Sequence, residues 1–232
     1  MINNLRKDIK KISNKKKADL LARYFKTGEG EYGFGDVFIG ITVPQSRTLA
    51  TKYKDMDFLE LTDLLKSKIH EERLIALLIL VYKFQNMPME QRRIYEFYIK
   101  NTKFINNWDL VDSSSDKIVG GYLIDKPKDI LLKLARSKNI WERRIAMIAT
   151  YHFIKNNDFR EALRIAEILL SDEEDLIQKA VGWMLKEVGK KDKEVEIKFL
   201  NKFYKKMGRT TLRYALEKFP KTISQKYLSG KV

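Results

Sequence analysis

Apolar residues recur along the chain at the three- and four-residue steps that line one face of an α-helix. Leu59, Leu61, Leu64 and Leu65 make one such stripe, Leu74, Leu77, Leu78 and Val81 a second, and Leu176, Ala180, Trp183 and Met184 a third. The punctuation between stripes fits helix ends. Pro44, Pro88, Pro127 and Pro220 stand at starts or stops. Asp55, Asn106, Asn139, Asp158, Asp172 and Thr210 are candidate N-caps, with side chains able to accept from the free amides of a first turn. Only residues 36–42, DVFIGIT, read as locally extended, and a solitary extended segment makes no sheet. The pattern predicts an all-α protein.

The helical stripes repeat. EERLIALLIL at 71–80 superposes on WERRIAMIAT at 141–150, with Glu72 on Glu142, Arg73 on Arg143, Ala76 on Ala146 and Leu77 on Met147, an offset of 70 residues. Val111 falls midway, and Ala180 and Ala215 continue the series of small residues. The period is therefore 35 residues or close to it, one helical pair per unit, as in HEAT-like or TPR-like solenoids. No linker interrupts the array, so a single repeat domain spanning 1–232 is expected. Stacked helical pairs of this kind curve into a superhelix and offer an extended concave surface to a ligand. In this register Arg144 takes the place of Leu74, and Asp112 that of Leu77. A charge in a core-like slot needs a partner, several hydrogen bonds or a ligand. A salt bridge inside an interface between repeats would satisfy that need as well as a binding site would.

Composition narrows the function classes. With 232 residues, 44% hydrophobic content and 11% aromatics, the chain can bury a substantial core. The longest apolar run, Leu74 to Tyr82, is too short for the roughly 20 residues that cross a bilayer, and no charged-then-apolar leader pattern opens the chain. A soluble, cytoplasmic protein is expected. The absence of cysteine excludes disulfides, thiolate nucleophiles and cysteine-ligated zinc. The net charge of +15 is concentrated at the ends, with +6 in residues 1–17, +9 in residues 186–232 and a neutral middle. Such ends attract a polyanion through phosphate contacts, or merely solvate the surface. An anionic membrane is disfavoured, because no basic stretch carries an aromatic stripe.

Candidate chemistry centres on NNWDLVD, residues 106–112. Trp108 and Asp112 are one helical turn apart and share a face, while Asp109 points elsewhere. Indole faces favour cations and flat rings, so Trp108 and Trp183 beside a carboxylate would suit a positively charged planar group. Trp141, at a helix start, reads as core. GEGEYG at 28–33 matches a dinucleotide-binding fingerprint by letter, but it follows a helical segment and carries acids that repel phosphate. His70 and His152 lack partners at ligand spacing, so neutral histidines on helix faces are expected and a metal site is not. Ser113, Ser114 and Ser115 have no neighbouring histidine to form a triad.

Five segments in order resemble the AlkD-like family of DNA alkylation repair glycosylases, which are built from HEAT-like repeats. They are LARYFKTGEGEYGFGDVFIGITVPQSR (21–47), NNWDLVD (106–112), NIWERRIAM (139–147), IQKAVGWMLKE (177–187) and TTLRYALEKF (210–219). The resemblance implies a monomeric, nucleoid-associated glycosylase without metal or cofactor. Such an enzyme excises positively charged N3- and N7-alkylated purines from double-stranded DNA held on its concave face, without flipping the base. Asp112 matches the family's catalytic aspartate and Arg144 the arginine that ends its I-W-x-x-R segment. Trp108 and Trp183 match the tryptophans that contact the lesion nucleotide, and Tyr24 the tyrosine of the second helix. Well-studied relatives have two adjacent tryptophans where this chain has Asn107 and Trp108, and the loop after Tyr24 is longer here. The family also includes members that bind DNA without excision, so the same resemblance admits a non-catalytic module for branched or damaged DNA.

Overall fold

The computed structural model describes residues 1–232, and its regular structure is helical. The segment read as extended contributes one isolated parallel bridge, Val37 to Ile69, and no sheet. No helix is long and apolar enough to cross a membrane.

The helices gather into two compact units, Met1–Ser114 and Ser115–Val232. The first contains α1 (Ile2–Ile12), α2 (Lys15–Tyr24), α3 (Val43–Lys52), α4 (Phe58–Leu65), α5 (His70–Asn86), α6 (Gln91–Lys100) and most of α7 (Trp108–Ser115). At its centre lies α5, packed against α3, α4 and α6. Its run from Leu74 to Val81 is buried at every position, as expected of a helix apolar on all sides.

The second unit opens with a π-helical turn (Asp116–Gly120) and the single turn α8 (Gly121–Leu123). It continues through α9 (Asp129–Ala135), α10 (Ile140–Lys155), α11 (Arg160–Ile168), α12 (Asp175–Lys191), α13 (Lys193–Phe203), α14 (Arg209–Ala215) and α15 (Lys221–Leu228). Here α10 plays the part of α5, with α9, α11, α12 and the π turn around it, and α12 packs in turn on α13 and α14.

The repeat read from the sequence is present in the packing. Ala76, Val111, Ala146, Ala180 and Ala215 are all 0% exposed, one per period. The 70-residue offset extends to hydrogen bonds. Arg73 donates from Nη1 to the carbonyl of Ser67 (2.8 Å), and Arg143 to the carbonyl of Ser137 (3.0 Å). Ser67 Oγ accepts from the amide of Ile69 (3.1 Å), and Ser137 Oγ from that of Asn139 (3.0 Å). The same side chains thus close the same turn before α5 and before α10.

Helix starts follow the expected chemistry, with some shifts. Asn139 caps α10 by accepting from the amide of Trp141, whereas Asp158 and Asp172, one and two positions before the N-cap residues Phe159 and Glu174, accept from the amides of Arg160 and Glu174. Asp57 rather than Asp55 caps α4. Asn107 rather than Asn106 accepts at the start of α7, and Gly208, not Thr210, stands at that of α14. In each case the cap belongs to the residue adjoining the first turn, a boundary that periodicity places only to within a few positions.

Candidate active site

In the first unit the site is built around the start of α7. Asn107 is fully buried; its Oδ1 accepts from the amide of Trp108 (2.8 Å), and its Nδ2 donates to Asp36 (3.3 Å). Trp108 is half-buried. Its indole stacks on Phe25 (centroids 5.0 Å apart, planes 11°), Phe25 stacks on Phe38 (4.9 Å), and Phe38 stacks on the imidazole of His70 (4.5 Å). Tyr24 sets its edge on Trp108 at 5.9 Å while remaining 65% exposed. Asp112, half-buried, lies one turn beyond Trp108 on α7.

The column of rings ends on a buried charge cluster. His70 is 1% exposed. Its Nδ1 lies 3.0 Å from Asp36 and its Nε2 2.8 Å from Asp109. A carboxylate at each nitrogen requires an N–H at each, so the ring is an imidazolium. Burial opposes that charge, but the bonds to Asp109 and Asp36 outweigh it and raise the pKa above the ordinary 6.5. Burial likewise opposes the charge on Asp36. His70, Arg73 (2.6 Å) and Asn107 nonetheless hold its carboxyl below the ordinary 3.8. Two carboxylates balance two cations, which is what lets the cluster sit inside the protein. The neutral histidine expected from sequence is therefore corrected at position 70, where residues distant in the chain supply both partners. At His152 burial and Lys155 lower the pKa, and the neutral form stands.

The loop that brings Phe38 and Asp36 to His70 is fastened by Glu71. Its buried carboxylate accepts from the amides of Ile39 (3.1 Å), Gly40 (2.9 Å) and Ile41 (3.3 Å). Gly40 has φ +82°, and a Cβ there would collide with the carbonyl of Asn14, so the chain passes at a distance only glycine allows. GEGEYG lies in this loop and follows α2 rather than a strand.

In the second unit Arg144 lies on α10 and is 5% exposed, nearly as buried as Leu74 (4%), its counterpart one repeat-pair earlier. It donates from Nη1 to the carbonyl of Leu176 at the first turn of α12 (2.5 Å). The same helix carries Trp183, half-buried, whose Nε1 donates to Glu187 (3.0 Å) and whose ring lies 6.0 Å from that of Tyr151. Trp141 is buried as core. Tyr24, Trp108 and Asp112 thus belong to one unit, with Tyr24 and Trp108 in contact, and Arg144 and Trp183 belong to two packed helices of the other. No group of three or more His, Asp or Glu side chains is arranged to hold a metal ion.

Asp36, Glu71 and Glu187 were not singled out by sequence, and His70 and Asp109 were given no part in the site. A signal existed for His70: it stands 70 residues before Ile140, a polar residue at a position apolar in the matching repeat.

Comparison with known proteins agrees with this architecture. No curated protein matches by sequence. Among solved structures, the predicted DNA alkylation repair enzyme from Enterococcus faecalis superposes with a TM-score of 0.70 at 18% identity, covering 90% of this chain and 97% of its own. AlkD2 from Streptococcus mutans gives 0.57 at 19% identity, covering 89% and 99%, and smu.31 from Streptococcus mutans UA159 gives 0.55 at 22%, covering 76% and 92%. The helical repeat is therefore the AlkD-like fold. The family model of the DNA alkylation repair enzymes matches residues 5–219, and the chain belongs to that family.

Proposed function

We propose that the protein is a monofunctional DNA glycosylase that releases N3- and N7-alkylated purines, such as 3-methyladenine and 7-methylguanine, from double-stranded DNA by hydrolysis of the N-glycosidic bond. The observation that carries the reading is the arrangement on α7: Asp112 one turn from an indole whose plane is fixed by stacking on Phe25.

An alkylated purine of this class is already cationic. When its bond to C1′ breaks, the bonding electrons leave with a neutral base and positive charge grows on the deoxyribose. A fixed carboxylate stabilises that charge, and no strong general acid is needed at the leaving group. Asp112 supplies the carboxylate and orients the water that adds to C1′. Trp108 presents its ring face to the sugar, whose growing charge its π-system favours, and Trp183 keeps the lesion-contacting role that the family resemblance gives it. Tyr24, in contact with Trp108, extends that aromatic surface. Arg144 contacts a backbone phosphate beside the lesion. DNA is drawn by the basic residues of both chain ends.

Asp112→Asn tests the reading. It removes the charge and keeps the shape. Release of 7-methylguanine from methylated duplex should fall by at least about 10²-fold, with DNA affinity unchanged or improved. Full release by this variant would take Asp112 out of the mechanism. Tight binding of branched or damaged DNA by the unmutated protein, with no base released, would instead identify a non-catalytic DNA-binding module.

A further inference from the structure

We propose that His70 is a positioning residue for the chemistry assigned to Asp112: a doubly bonded imidazolium that clamps the first turn of α7, through Asp109, to the loop carrying Asp36 and Phe38. The inference rests on the glycosylase reading for its effect on rate. The clamp itself rests on geometry alone.

Three observations carry it. The repeat does not need an ionisable group at this position, because the matching residue of α10 is Ile140. An imidazole here must therefore offset a burial cost that an aliphatic side chain avoids. Both of its nitrogens are committed, and each to a different element: Nδ1 to the loop at 3.0 Å and Nε2 to α7 at 2.8 Å. The elements so joined are the ones that present the proposed reacting groups. Asp109 is flanked by Trp108, and Asp112 follows three residues later; Phe38 is the middle of the ring column beneath Trp108. The charged groups facing His70 are Asp36 from the loop, Asp109 from α7 and Arg73 from its own helix, with Asn107 completing the shell of Asp36.

A neutral imidazole has one N–H and must release one of the two carboxylates. Loss of the proton therefore frees either the first turn of α7 or the loop, and Asp112 loses its fixed aim. Displacements of about 1 Å cost such reactions on the order of 10²-fold.

The test combines His70→Leu, which restores the aliphatic character of the matching repeat, with His70→Gln, which keeps a single donor at similar size. Both should bind undamaged duplex as the unmutated protein does. Base release under single-turnover conditions should fall roughly 10- to 100-fold. Release by the unmutated protein should decline at alkaline pH with the loss of one proton, a limb absent from both variants. Asp109→Asn, whose amide can donate to a neutral imidazole, should shift that limb. Imidazole resonances of His70 should show both nitrogens protonated near pH 7. Unimpaired release by folded His70→Leu, or a single protonated nitrogen, would overturn the proposal. If the unmutated protein releases no base, the glycosylase reading fails on that measurement, and the imidazole resonances still decide whether the clamp exists.

Discussion

His70 and Arg144 are both charged side chains at positions where the matching repeat carries an aliphatic residue, and both are almost wholly buried. Arg144 donates to the backbone carbonyl of Leu176, and His70 stands between two carboxylates. The second arrangement makes stability depend on pH. Because the folded-state pKa of His70 lies above 6.5, its contribution is fully present below that value and is lost as pH rises through the folded pKa. Asp36 behaves in the opposite sense, its contribution disappearing as pH falls below 3.8 through its lowered value. Thermal denaturation should therefore show a melting temperature that declines on the alkaline side, and His70→Leu should remove that decline; a parallel decline in the variant would assign it to another group. At this scale the sequence announced Asp112 and Arg144 through charges in apolar slots of the repeat, and Trp108 through its place one turn before Asp112. Asp109, in the slot of Leu74 and Arg144, makes the same departure, but its partner and that of Asp36 is a histidine 39 and 34 residues away, which spacing does not reveal.

Among elements, what the sequence disclosed best was spacing. The series Ala76, Val111, Ala146, Ala180 and Ala215 places one fully buried residue in each successive period. The π turn at Asp116–Gly120 was not legible, since an i to i+5 turn has no composition of its own. Gly182 marks a close approach in the segment carrying Trp183. A Cβ at 182 would lie 2.5 Å from the carbonyl of Thr211 on α14, a backbone atom that cannot swing aside. Gly182→Ala should therefore destabilise the fold by about 1–3 kcal/mol through overpacking, measured as a lower denaturation midpoint. An unchanged midpoint would mean that α12 and α14 are more loosely apposed than described.

For the molecule as a whole, charge is the property that sequence states most directly. A surplus of +15, carried at the two ends of the chain, predicts binding governed by phosphate neutralisation and release of counterions. If six or more phosphates are engaged, affinity for undamaged duplex should fall about 10³-fold or more between roughly 50 and 200 mM salt. A shallow dependence would show that the ends do not take part.

The way Glu71 holds the amides of Ile39, Gly40 and Ile41 has a consequence for how the protein can vary. The hem of the loop is stitched down, while the fabric beyond it, residues 28–31, lies in solvent. Length and composition can drift in that outer stretch without disturbing the rings below, so related chains are free to differ there, and a reporter group inserted at that point would leave the chemistry of α7 untouched.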